Sequence, residues 1–233
     1  MIQHVCLCER GCRRTINQDR AGGWTDGDTG LFFVADGIGG HFAGEKASGI
    51  LAEELAAWWG SGRHMPSAQA AEQLQQLIDR GDARIRQQTP PGQRCGSTLV
   101  ILWITGGTYA LLSVGDSRCY QTRRRMFGAE TMQLTTDDVL PDTAGPDRGK
   151  LSRAVGAGRC LVSVRCGELT SGTLFTLCSD GIYKYCDSAG LHNSLAKARR
   201  TALLRQAAGE IESRVLARQA PDNYSLVLVR PVL

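Results

Sequence analysis

The sequence predicts a layered α+β protein, and three observations predict it. Short apolar runs rich in β-branched and aromatic residues recur between Gly, Asp and Thr; helical periodicity is confined to a few long stretches; and the two kinds of segment do not alternate. Regular alternation would have indicated a parallel βαβ sheet, whereas strands in runs indicate layers.

The strand-like runs fall at residues 31–35, 98–104, 109–114, 161–164, 174–178 and 224–229. Most are too uniformly apolar to leave one face in water. Gly106-Gly107 between two of them is a two-residue hairpin signal, and Asp26-Gly27-Asp28 marks a turn before Leu31, so antiparallel pairing is expected. Helices are expected over 43–59, 67–88 and 195–218, each with apolar residues at three-and-four spacing and no internal proline. In the third, Leu203, Ala207, Ile211 and Val215 mark the face that packs on a sheet.

The 233 residues suffice for one large domain, 1–233, and no repeat, low-complexity segment or linker divides them. The chain is 42% hydrophobic and 21% charged, ordinary for a globular protein, and the longest apolar run, 99–104, is far short of a membrane span. The N-terminus lacks the pattern of a secretory signal, so a cytoplasmic protein with no membrane contact is expected. Nine cysteines, an odd number without repeated spacing, read as reduced thiols; Cys6, Cys8 and Cys12 lack the partners of a tetrahedral metal site. A net charge of +4 is too small and dispersed to indicate nucleic acid, and the run Arg123, Arg124, Arg125 before Phe127-Gly128 reads as a solvated hairpin tip.

Three apolar runs end alike, at Asp36-Gly37, Asp116-Ser117 and Asp180-Gly181, and a fourth acid, Asp222, stands just before the last run. Any one of these is explained by a turn, since Asp-Gly favours turns. Four together are not, because strands lying side by side would bring the carboxylates to one rim, where each is costly unless paired or metal-bound. Carboxylates without Cys or His partners make a hard-oxygen site suited to Mg²⁺ or Mn²⁺. Two such ions sharing a carboxylate activate water and clamp a phosphoryl group, so the residues alone point to metal-assisted phosphate chemistry.

Eight segments in order then carry a resemblance: Arg14 with Asn17-Gln18-Asp19; Val34 to His41 with Gly44-Glu45 and Ala47-Ser48; Cys95-Gly96-Ser97-Thr98; Val114 to Tyr120; Gln133 to Asp137; Leu151 to Gly156; Leu177 to Gly181; and Asp222-Asn223. The chain resembles the protein phosphatase 2C (PPM) family in its compact bacterial form, almost from end to end. The resemblance implies a four-layer α-β-β-α sandwich, two central antiparallel sheets flanked by helices, with the metals at one end. It implies two Mn²⁺ or Mg²⁺ ions in the core site and room for a third: Asp36 bridging two ions, Gly37 offering its backbone carbonyl, Asp180 and Asp222 completing the pair, and Asp116 helping to hold a third beside Asp180. Arg14 matches the phosphate-binding arginine, a role its planar guanidinium suits, with Arg13 the rival if the register slips. Asp19 would orient bound water from outside the ligand set, preceded here by Gln18 where the family often has an acid.

Ser97 and Thr98 would support the aspartates, and Asn223 the loop presenting Asp222. His41 is weighed as a general acid and set below the other candidates, because Ile38 stands where many relatives carry histidine. Between Asp138 and Leu151 the family's flap is cut to a short loop. The implied activity is hydrolysis of phosphoserine and phosphothreonine in proteins by metal-activated water, with no phosphoenzyme. Implied partners are a phosphorylated protein and a cognate serine/threonine kinase, in a setting such as type VI secretion, with the chain a monomer. The alternative is a catalytically weak phosphoprotein-binding signalling domain of the same fold.

Overall fold

Two-residue turns and buried strands set the architecture. In the computed structural model, which describes residues 1–39, 43–61, 65–126, 128–140, 150–157, 160–198 and 203–232, the strands form two antiparallel sheets. One runs in the order β2 (Asp19–Asp26), β3 (Thr29–Ile38), β5 (Leu99–Thr105), β6 (Thr108–Val114), β9 (Ser163–Glu168). The other runs β1 (Ile2–Glu9), β11 (Tyr224–Pro231), β10 (Leu174–Cys178), β7 (Arg118–Arg124), β8 (Ala129–Gln133). Short β4 (Gly96–Ser97) pairs with the end of β3.

Both expected turns form. Thr105 pairs with Thr108 across Gly106-Gly107, both glycines with positive φ (52° and 83°), the conformation that matches strand twist in a tight hairpin. Asp26 pairs with Thr29 across Gly27-Asp28.

The sheets pack face to face through Phe32, Val34, Leu102, Phe175, Leu177 and Val227. Outside the first sheet lie α1 (Ala43–Gly60) and α2 (Ser67–Gln88), whose Leu51, Leu55, Leu74 and Ile78 meet Leu31, Phe33, Ile101 and Trp103. Outside the second lie α4 (Ser188–Lys197) and α5 (Leu204–Ala217), packing on Leu226 and Leu228. The central strands are therefore covered on both faces, which is why their sequences are uniformly apolar and not alternating.

Two expectations are corrected. The helix expected over 195–218 is two: α4 starts early, with the Asp187 carboxylate capping the Gly190 amide at 2.7 Å, and ends at Ala198. Ser194 Oγ donates to Glu210 at 3.1 Å, whereas in one continuous helix these residues would lie about 24 Å apart. The strand expected at 161–164 is instead Ser163–Glu168, an edge strand with Leu161 and Val164 exposed; its apolar start had suggested burial that an edge does not supply. The Arg123 to Arg125 run does lead into the β7–β8 turn, closed by the Arg125 amide on the Gly128 carbonyl at 3.2 Å. Arg125 is exposed and paired with Glu130, while Arg123 is partly buried.

Candidate active site

The four aspartates converge, though by a different geometry from adjacent strands of one sheet. Asp36 near the end of β3 and Asp116 just after β6 come from the first sheet; Asp180, which opens the short helix α3 (Asp180–Tyr183) after β10, and Asp222, two residues before β11, come from the second. Strand ends of the two sheets thus make the rim. All four acids line one cleft of about 510 Å³, together with Arg14, Gln18, Gly37, Lys184 and Asn223.

Each acid is held through its neighbours. The Asp36 amide donates to Thr98 Oγ1 at 2.9 Å and its carbonyl accepts from the Thr98 amide at 2.9 Å and Ser97 Oγ at 3.1 Å. Thr98 Oγ1 also lies 2.7 Å from Ser117 Oγ, beside Asp116. Asp19, fully buried, is the cross-strand neighbour of Asp36 and accepts from Ser179 Oγ at 2.8 Å. Ser179 Oγ in turn accepts from the Ser225 amide at 2.9 Å, so one hydroxyl joins the two sheets behind the site. Asn223 accepts from the Gln18 amide at 3.0 Å and donates to the carbonyls of Arg10 and Ile16, tying the N-terminal loop to the start of β11.

Gly37 is packed where nothing larger fits: a Cβ there would lie 2.2 Å from the Gly44 carbonyl oxygen and 2.7 Å from that of Gln18. The start of α1 and the Gln18 loop therefore close directly on the backbone that would present a ligand carbonyl.

The electrostatics call for cations. Loss of hydration, then the charges of Asp19, Asp180, Asp116 and Asp222, drive the Asp36 carboxyl far above the usual carboxylate range. Burial pushes Asp19 up to about 6, and burial followed by Asp180 raises Asp116. Two side chains partly answer this charge. Arg14 grips Asp222 through Nε at 2.8 Å and Nη2 at 2.9 Å, and Lys184 Nζ lies 2.6 Å from Asp180 Oδ2. Among the described residues no three acidic, His or Cys side chains already form a ligand cage, and Arg14 and Lys184 hold two of the acids. Even so, Asp19 Oδ1 is buried without a partner, and the donor set is all oxygen. Asp36, Asp19 and Asp116, raised first by lost hydration and then by neighbouring acids, with an orphaned carboxylate oxygen on Asp19, fit hard divalent cations.

Residues 12–219 match the Protein phosphatase 2C family. The chain belongs to that family. It is 27% identical over 202 residues to the serine/threonine protein phosphatase PstP of Mycobacterium tuberculosis, covering 78% of this chain and 36% of PstP. It therefore spans about a third of that relative's length. With the serine/threonine phosphatase stp of Listeria innocua it shares 27% identity over 236 residues, 95% of this chain and 92% of stp. Among solved structures, PppA, a key regulatory component of T6SS in Pseudomonas aeruginosa, superposes with TM-score 0.79 at 28% identity over 98% of this chain and 97% of PppA. The catalytic domain of PstP in complex with two manganese ions superposes with TM-score 0.81 at 24% identity over 100% and 99% of the chains. The four-layer sandwich of this 2C-type fold matches the architecture that the resemblance implied.

Arg14 faces the cleft, whereas Arg13 turns to Gln219 at 2.6 Å. Sequence reasoning missed four residues. Ser179 stood directly before Asp180 and was readable there. Lys184, one turn after Asp180, was readable only once α3 was known. Tyr183 donates to Asp116 at 3.2 Å and carries Arg118 over its ring at 3.6 Å, and Arg94 joins the cleft lining from the loop before β4. Neither had a local signal. Cys178, beside Asp180, is fully buried and its thiol is pushed up by desolvation, so it is a core residue. His41 and most of the shortened flap, 141–149, lie outside the described residues.

Proposed function

We propose that this chain is a metal-dependent protein serine/threonine phosphatase that hydrolyses phosphoserine and phosphothreonine esters. The observation that carries the reading is the convergence of Asp36, Asp116, Asp180 and Asp222 from two sheets on one cleft with Arg14 at its edge. In this reading Asp36, the Gly37 carbonyl, Asp180 and Asp222 would hold two Mn²⁺ or Mg²⁺ ions, Asp116 with Asp180 would hold a third, and Asp19 would orient water from behind them. When bound, the ions supply acidified water and neutralise the phosphoryl charge. Arg14, released from Asp222, takes phosphoryl oxygens with its planar fork. Buried Asp19 and Ser179 keep the floor rigid, so the acids need little reorganisation as charge moves.

The relatives named for serine/threonine phosphatase activity support this reading, as does the manganese in PstP. A cytoplasmic monomer acting against a cognate serine/threonine kinase is the setting proposed, and the likeness to PppA favours regulation of type VI secretion. No helix among the described residues is long and apolar enough to cross a membrane. Phosphate release from a phosphothreonine peptide in Mn²⁺ tests the proposal. Peptide bound without release would replace it with the binding-domain alternative.

A further inference from the structure

The cleft has two charge layers. Its acids, Asp36, Asp116, Asp180 and Asp222, form the floor, while the lining also holds Arg14, Arg94, Lys150 and Lys184. In the phosphatase reading, on which this inference rests, divalent cations neutralise the floor and Arg14 meets the phosphoryl group. That leaves Arg94 at the rim with no part in holding the phosphoryl group.

Arg94 is the rim cation best placed to meet something else. It is exposed, lines the cleft and forms no ion pair with a described residue, whereas Lys184 is engaged with Asp180. Its position is also set by the fold. Two residues on, Gly96 pairs with Ile38 and Ser97 with Gly37, so the Arg94 loop is anchored to the strand end that carries the floor. Arg94 stands on the first-sheet side of the cleft and Lys184 on the second-sheet side. A chain lying across the cleft with its phosphorylated residue over the floor passes both.

We propose that this rim selects phosphoresidues flanked by acidic side chains, with Arg94 as the specificity-determining contact. Opposite charge across a solvated rim raises encounter and discriminates against basic or neutral neighbours, and it weakens with salt. The test compares kcat/KM of the full chain in Mn²⁺ on two phosphothreonine peptides, one with Asp on both sides and one with Ala. The acidic peptide is expected to be favoured about fivefold at low salt. Arg94→Lys should keep the preference, Arg94→Ala should remove it, and Arg94→Glu should reverse it. Equal kcat/KM for the two peptides in the wild type, or a preference that survives Arg94→Glu, overturns the proposal. Hydrolysis of p-nitrophenyl phosphate, followed alongside, separates the two levels. Turnover of it without any peptide preference removes the rim assignment alone, whereas no turnover of any substrate removes the phosphatase reading and the rim assignment with it.

Discussion

A buried carboxylate among like charges is a cost the fold carries for its site, and that cost is measurable at single residues. Asp36→Asn keeps the shape and removes the charge that four neighbours oppose. Turnover should be abolished, while the metal-free protein should gain about 1 kcal/mol, roughly 2–4 °C in melting midpoint for a chain of this size. Thermal melts in chelator, set beside phosphate release in Mn²⁺, check both halves. Asp19 gives the pH counterpart. Its folded-state value of about 6 lies above the ordinary 3.8, so the metal-free fold holds this proton more tightly than the unfolded chain does. That contribution is fully present below about pH 4 and lost as pH rises through about 6. Chelated wild type should therefore melt lower, relative to Asp19→Asn, at pH 7.5 than at pH 4.5; an unchanged difference would refute the burial argument. Arg14→Ala should raise KM more than it lowers kcat, because a guanidinium that meets the phosphate in ground and transition states alike supplies uniform binding. Steady-state kinetics on the phosphothreonine peptide, with Arg13→Ala as the comparison, reads it directly.

Between elements, the site depends on two backbones meeting without a side chain between them. A Cβ at Gly181 would lie 1.9 Å from the Asn223 carbonyl oxygen, forcing α3 away from the start of β11 and Asp180 away from Asp222. Gly181→Ala is expected to cost about 1–3 kcal/mol and to weaken Mn²⁺ affinity as well. A denaturant melt together with a metal titration checks it, and normal values in both would show that the approach is not needed. The strands that build this junction were legible because burial on both faces left continuous apolar runs, as in β5 and β10. Strands β1, β2 and β8 were not, since partly exposed positions, or the Gly22-Gly23 pair, break their pattern. The α4–α5 break was hidden for another reason. Both helices present apolar residues at the same spacing, and only tertiary contacts such as those of Ser194 and Lys197 with Glu210 show that the chain folds back.

Across the whole molecule, the acids were legible as a set because each ends or precedes a strand, but their convergence needed two sheets. Sequence spacing could not show that Asp36 and Asp116 face Asp180 and Asp222 across a sandwich rather than along one sheet. Nor could it show the cations that hold Asp222 and Asp180, since Arg14 lies 208 residues from its partner. The central claim is that this two-sheet cleft works by holding divalent cations. Calorimetric titration of the chelated chain with Mn²⁺, with phosphate release from the phosphothreonine peptide followed at each addition, tests it most directly. The account predicts no turnover before metal is added, binding at two strong sites, and activity that rises as they fill. Turnover that persists in chelator, or sites that fill without any turnover, would contradict it.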